Sequence, residues 1–380
     1  MTESISELRL HELTVTDKTV WTFVEVETSD GRVGTGEATL GGRQDALRVC
    51  FERWRPELLG RPASVASLPA SWRESGDLAQ IAVACGLDQA LWDIEAQRVG
   101  KPVAALLTTE PLSEVAVYAN INRRTTDRTP EGFAASARLA RAAGFDAVKI
   151  APFDRLTPAT PAAEARRLLA DGLARIAAVR QAIGRDARLL VDCHWRLGPE
   201  TANQLLAEAE ALGLYWIECP FPEETPEFAG IRQFRARANG KGIRTAGCEL
   251  RTGVAGFAPF LEAGLYDVIM PDVKYAGGLA TVLVIAELAE RSGVACSPHN
   301  PSGPICHGHS VQVSAAVSGF LILEMQFDET PLFDEIVAGD SFRPSAGRIP
   351  VPDRPGLGVS LAASLNRSQD RASAMSNRKP

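Results

Sequence analysis

Along this chain the spacing of apolar residues changes character twice. Residues 7–38 alternate: Trp21-Thr22-Phe23-Val24-Glu25-Val26-Glu27-Thr28 keeps a two-residue period, Ser29-Asp30-Gly31 is a turn signal, and Val33 to Ala38 returns. An antiparallel β-meander is predicted. From about Gln44 to Val99 the period lengthens to three and four residues, most clearly over 81–94, and Gly100-Lys101-Pro102 closes it. Together these stretches predict an α+β domain.

From residue 115 short apolar runs alternate with amphipathic patterns. The runs lie at 115–119, 147–150, 189–192, 215–218, 243–246, 267–270, 294–297 and 320–324. Helical patterns such as 162–183, 199–212, 279–292 and 310–317 fall between them. Strands separated by helices predict a parallel sheet covered on both faces and closed into a (β/α) barrel. An open doubly wound sheet is the alternative; it would gather residues at one switch point instead of from many strands. After Glu324 the chain becomes rich in Gly and Pro. The expected organisation is a capping domain over 1–112, a barrel over 113–330 and a segment, 331–363, that returns to the capping domain. The Ser/Asn/Arg-rich tail, 364–380, is expected to be disordered.

Composition narrows the class. A chain of 380 residues with 45% hydrophobic and 23% charged residues is an ordinary globular protein. A net charge of −7 speaks against a partner with a phosphate backbone, so no nucleic acid is expected. No apolar run approaches the roughly 20 residues that span a bilayer, and the acidic, polar start Met1-Thr2-Glu3-Ser4 is unlike a signal peptide. No membrane partner is expected. Seven cysteines without zinc spacing, several inside apolar runs, point to free buried thiols in a reducing cytoplasm.

The chemistry lies where apolar runs stop. Five of them end at or just before an ionisable residue: Asp192, Glu218, Glu249, Asp272 and His299. Asp192, Glu218 and Glu249 follow one another at roughly one βα unit each, so adjacent barrel strands bring them together. Three carboxylates so close ionise together only around a cation, and an all-oxygen set that keeps open positions suits Mg2+. Cys193, Cys219 and Cys248 stand next to these acids in sequence; strand alternation turns them toward the helices as packing residues rather than zinc ligands. Asp272 and His299 form a second pair, in which a carboxylate fixes the imidazole tautomer and makes a general base. His194 lies two residues beyond Asp192 and, by strand parity, shares its face. Lys149 ends the second run, with Ala151 as its same-face neighbour, and could bind a substrate carboxylate. Glu324 ends the eighth run as a further inward acid. His11, His307 and His309 are given no role.

These residues resemble the enolase superfamily, and within it the mandelate racemase subgroup, over almost the whole chain. The resemblance rests on Gly86-Leu87-Asp88-Gln89-Ala90-Leu91-Trp92-Asp93, the acidic trio, Pro271-Asp272 followed by Gly277-Gly278, His299, and Pro355-Gly356-Leu357-Gly358. It implies a modified (β/α)7β barrel of the TIM type, one Mg2+ and abstraction of a proton α to a carboxylate. Asp192-Cys193-His194 with Arg196, and Pro298-His299-Asn300-Pro301-Ser302-Gly303-Pro304-Ile305, are similar to acid-sugar dehydratases of the D-galactonate type. That similarity implies His299 as base and His194 as proton donor to the departing hydroxyl of an acid sugar, an aldonate or aldarate. Arg196, in the same motif, and Glu324, from its place at the end of the eighth run, are expected to contact the substrate. A homo-oligomer is expected. Two departures stand out. Lys149-Ile150-Ala151 replaces a Lys-x-Lys, which counts against a racemase, epimerase or cycloisomerase, and the 218–249 spacing is long. The remaining alternative is a non-catalytic scaffold with the same fold. Specificity is expected from the capping loops 14–20 and 39–43.

Overall fold

The computed structural model describes residues 3–339 and 342–362, so the expectation for the tail 364–380 lies outside the described residues. Strands β1 (Ile5–Thr14), β2 (Val20–Thr28) and β3 (Val33–Glu37) form the expected antiparallel meander, with Leu8 opposite Val26 and Leu10 opposite Val24. Helix α1 (Gln44–Leu58) and the one-turn α2 (Ala70–Arg73) follow, then the long α3 (Leu78–Val99). Asp77 caps α3 by accepting from the amides of Ala79 and Gln80; Gly100 ends it at φ 69°. Strand β3 lies directly on α3. A Cβ on Gly36 would stand 1.9 Å from the Gly86 carbonyl oxygen, so only glycine permits this approach.

After the short α4 (Ala104–Leu107) comes the alternating region. It reads β4 (Glu114–Asn120), α5 (Pro130–Ala142), β5 (Ala147–Ile150), α6 (Ala162–Ile183), β6 (Arg188–Asp192), α7 (Pro199–Ala209), β7 (Leu214–Glu218) and α8 (Phe228–Asn239). It continues with β8 (Arg244–Gly247), α9 (Gly253–Glu262), β9 (Val268–Ile269), α10 (Leu279–Arg291), β10 (Ala295–Cys296), α11 (Pro304–Ser314) and β11 (Leu323–Gln326). Every neighbouring pair is parallel, in the order β10-β9-β8-β7-β6-β5-β4-β11. A bridge from Cys296 to Phe320, with the Leu321 amide donating to the Cys296 carbonyl at 2.8 Å, joins β10 to the β11 end. The sheet therefore closes as a (β/α)7β barrel, and the open-sheet alternative falls.

Strand alternation sorts the core into two sets. Tyr118, Ala147, Leu190, Trp216, Ala246, Val268, Met270 and Ile322 fill the barrel interior, while Val117, Val148, Leu189, Val191 and Ile217 join the helix-side core. Side chains two residues beyond the interior set consequently face the carboxyl end of the barrel. These include Asn120, Lys149, Asp192, Glu218, Asp272 and Glu324.

Helix α11 begins at Pro304, not near Ser310 as the pattern predicted. Every residue of α11 is buried, so no polar face marks its first turns. Its N-terminus is held by the capping domain: Glu37 accepts from the amides of Gly303 (2.8 Å) and Cys306 (2.9 Å). Asp88 of α3 likewise accepts from the Leu279 amide at the start of α10 (2.9 Å).

The 331–362 region makes contacts on both sides. Strand β12 (Val337–Gly339) pairs with β14 (Val359–Leu361), whereas β13 (Arg348–Pro350) pairs with barrel strand β4. Asp93 of α3 accepts from the Leu357 amide at 2.8 Å. All seven cysteines are free and buried, as expected. No helix among the described residues is long and apolar enough to cross a membrane.

Candidate active site

Asp192 and Glu218 are register partners at the ends of β6 and β7, and Glu249 follows two residues after β8. One oxygen from each lies within 4.8 Å of the other two, and all three side chains are buried. Burial, and then the charges of Asp192 and Glu218, drive the Glu249 carboxyl well above its ordinary value; burial does the same to Glu218. Burial opposes ionisation of Asp192 as well, yet His194 and Lys149 hold it below the usual carboxylate range. Glu249 Oε2 is buried without a hydrogen-bond partner. A buried carboxylate oxygen left bare is costly. An orphaned oxygen within an all-oxygen trio fits a hard divalent cation.

Lys149 Nζ lies 2.6 Å from Glu218 Oε1 and 3.0 Å from Glu324 Oε1. Glu324 is fully buried: Asn120 Nδ2 donates to Oε1 at 2.6 Å, and the Asn300 amide donates to Oε2 at 3.0 Å. Trp216 Nε1 donates to Glu218 Oε2 at 3.1 Å. The inward face at β4, β5, β7 and β11 is therefore one connected polar layer.

His194 meets Asp192 for a reason other than strand parity. Strand β6 ends at Asp192, and His194 and Trp195 turn with φ of 46° and 57°. The Asp192 side chain supports this costly turn by accepting from the His194 amide at 2.8 Å. His194 Nε2 then comes within 2.8 Å of Asp192 Oδ2, whose charge raises the imidazole above its ordinary value. Cys219 and Cys248 also sit just past their strands with positive φ, where alternation does not set their direction; Cys193 and Cys248 nevertheless pack in the helix-side core, and Cys219 is buried.

His299 follows β10. Its Nδ1 lies 2.8 Å from Asp272 Oδ2, and its Nε2 lies 3.7 Å from Glu249 Oε2. An ionised Asp272 only accepts, so Nδ1 carries the proton and Nε2 offers its lone pair toward the acids. Strands β6 and β10 are four places apart in an eight-strand barrel, so the two histidines stand on opposite sides of the mouth.

Arg196 points its guanidinium at the carbonyls of Phe153 (2.8 Å) and Asp154, fastening two loops together. It borders a cavity of about 80 Å³ shared with Asn122, Ala151, Asp192 and His194. Asn122 and Asp154 also belong to a larger cleft of about 700 Å³ beneath Thr16–Thr19, with Arg123, Arg128 and Glu329 as further walls. The 14–20 loop lines this cleft and the 39–43 loop does not. Thr19 Oγ1 donates to Glu329 Oε1 at 2.6 Å, tying the loop to the barrel. The sequence reading missed Asn120, Asn122, Asn300 and Lys274. Asn120 had a usable signal, lying on the inward parity of β4; Lys274, in the turn after β9, had none.

Comparison with known proteins agrees with this geometry. Residues 7–108 match the mandelate racemase / muconate lactonizing enzyme N-terminal domain, and residues 132–365 match the enolase C-terminal domain-like family. A D-gluconate dehydratase of Thermoproteus tenax is 32% identical over 89% of this chain and 67% of its own. A D-galactonate dehydratase of Variovorax paradoxus is 28% identical over 93% of this chain and 91% of its own. The crystal structure of a mandelate racemase/muconate lactonizing enzyme from Jannaschia sp. CCS1 superposes with a TM-score of 0.82 at 26% identity, covering 96% of this chain and 97% of that one. With both halves matched and the barrel, acidic trio and histidine pair in place, the chain belongs to the mandelate racemase / muconate lactonizing enzyme family of the enolase superfamily.

Proposed function

We propose that the protein is an acid-sugar dehydratase that converts an aldonate to its 2-keto-3-deoxy acid, with Mg2+ held by Asp192, Glu218 and Glu249. The observation that carries this reading is the pair of imidazoles at the two ends of the acidic trio. One Nε2 is 2.8 Å from Asp192 and the other is 3.7 Å from Glu249. A divalent cation there supplies positive charge where the substrate carboxylate gains electron density as its α-carbon loses a proton.

His299 Nε2 takes the C2 proton; Asp272 holds its ring and stabilises the imidazolium that forms. The C2–H electron pair first delocalises into the substrate carboxylate as an enediolate, and then forms a C2–C3 double bond as the C3–O bond breaks. His194 Nε2 gives its proton to the departing hydroxyl, which leaves as water. The enol then becomes the 2-keto acid by taking a solvent proton at C3 and losing its C2 hydroxyl proton to solvent. Lys149 adds positive charge on the carboxylate side. Arg196 and Glu324 act from the walls, as their bonds to loop carbonyls and to Asn120 and Asn300 indicate. Two relatives named for aldonates support the substrate class, and so does the cleft. Its Asp17, Asp154 and Glu329 balance its Lys18, Arg123 and Arg128, a neutral polar wall suited to a hydroxylated tail.

Ala151 supplies no second proton-transfer group on the β5 side, which favours elimination over racemisation. The test is a set of aldonates and aldarates assayed for 2-keto acid in the presence of Mg2+. Keto acid from at least one aldonate is expected. Inversion at C2 with no keto acid would overturn the reading.

A further inference from the structure

Behind the His299–Asp272 pair lies a charged group that the reaction above does not use. Lys274 is 1% exposed. Its amide donates to Asp272 Oδ1 at 2.8 Å and its Nζ to Asp272 Oδ2 at 3.0 Å, so a single residue occupies both oxygens. Oδ2 is the oxygen that receives His299 Nδ1. Nζ also donates to Ser302 Oγ, three residues beyond His299, and stands 5.2 Å from the Tyr275 ring. Gly303, next in the chain, is held by Glu37 of the capping domain.

Neutralising a buried acid requires only one contact, and burying an ammonium is costly even when it is paired. Here the lysine joins two loops, the one after β9 that carries Asp272 and the one after β10 that carries His299 and Ser302. Without the ammonium only the backbone amide at 274 still holds Oδ1, and Oδ2, the acceptor of the His299 Nδ1 proton, loses its second anchor and its link to Ser302. We propose that Lys274 is a positioning residue, locking the Asp272 carboxylate and through it the tautomer and aim of the His299 ring. The proposal rests on the reading of His299 as the base.

The experiment uses full-length protein with saturating Mg2+, uniformly 15N-histidine labelled, with the His299 signals assigned by their loss in His299→Asn. Wild-type His299 should show one protonated nitrogen (Nδ1) and one bare nitrogen (Nε2). In Lys274→Met the two shifts should move toward each other. Its kcat should fall about 10- to 100-fold while KM stays within about threefold. Mg2+ affinity should be unchanged, because Lys274 touches none of the three acids. Ser302→Ala should give a smaller loss of the same kind, and that loss should vanish in the Lys274→Met background. Wild-type ring shifts in Lys274→Met, or a kcat within about twofold of wild type, would overturn the proposal. If Lys274→Met fails to fold, Ser302→Ala decides, and unaltered shifts and kcat in that variant overturn it. A wild type that dehydrates no aldonate would sink the dehydratase reading and leave the ring-shift comparison standing as the test of Lys274.

Discussion

Two imidazoles on opposite sides of one barrel mouth can be told apart by what each removal leaves behind. His299 presents a bare Nε2 toward the acidic trio, with its other nitrogen committed to Asp272 at 2.8 Å. Replacing His299 with Asn should abolish keto acid formation and also stop exchange of the C2 proton in D2O, since both need the same base. Fast exchange in that variant would move the base elsewhere, with Lys149 the first candidate. His194 is more exposed, its side chain 36% accessible, and it borders the small cavity. His194→Asn should lose dehydration by about 10²- to 10⁴-fold yet retain C2 exchange, the usual range for one general acid. Loss of the C2 proton signal by NMR without keto acid is the expected pattern. A near wild-type dehydration rate would make His194 a spectator.

Helix α11 shows how an element can be polar in sequence and buried in the fold. His309 Nε2 lies 2.8 Å from the Thr35 carbonyl of the capping sheet, and His307 Nδ1 lies 2.7 Å from Asn300 Nδ2. Burial lowers both histidines from 6.5 to about 4. Their folded pKa lies below the unfolded one, so the stability they contribute is present above pH 6.5 and is lost as pH falls toward 4. Asp88 and Asp93, raised by burial to about 6, act in the opposite sense: ionising them destabilises the fold as pH rises from about 4 to 6. Wild-type stability thus mixes two slopes, and a variant separates them. With Mg2+ saturating, His309→Gln should lose about 1 kcal/mol less than wild type on acidification from pH 7 to 5.5, measured by urea unfolding. Equal losses in the two proteins would show that His309 titrates normally.

At the scale of the whole molecule, the trio draws one acid from each of three successive strands, so metal binding should report on the closed barrel. Mg2+ at about 100 times its Kd should add about 2.7 kcal/mol to stability, seen as a rise in unfolding midpoint. EDTA should remove both that rise and the activity, and added Mg2+ should restore them. Glu218→Gln should fold and lose both effects; a variant that kept the midpoint shift would place the cation elsewhere. Much of this architecture was written locally. The two-residue period of 21–28, the apolar runs ending at Asp192 and Glu218, and the helix over 162–183 follow from backbone sterics and from which face is buried, and neither depends on distant partners. The acids and His299 were legible for the same reason, since each stands where a run stops. Tertiary structure alone decided who meets whom. Lys149 reaches Glu218 across 69 residues, Lys274 joins two loops, and Glu37 holds the start of a helix whose all-round burial erased its period. Such pairings arise only when the sheet closes and the capping domain seats on it, because strand register, not residue type, sets which side chains share a space.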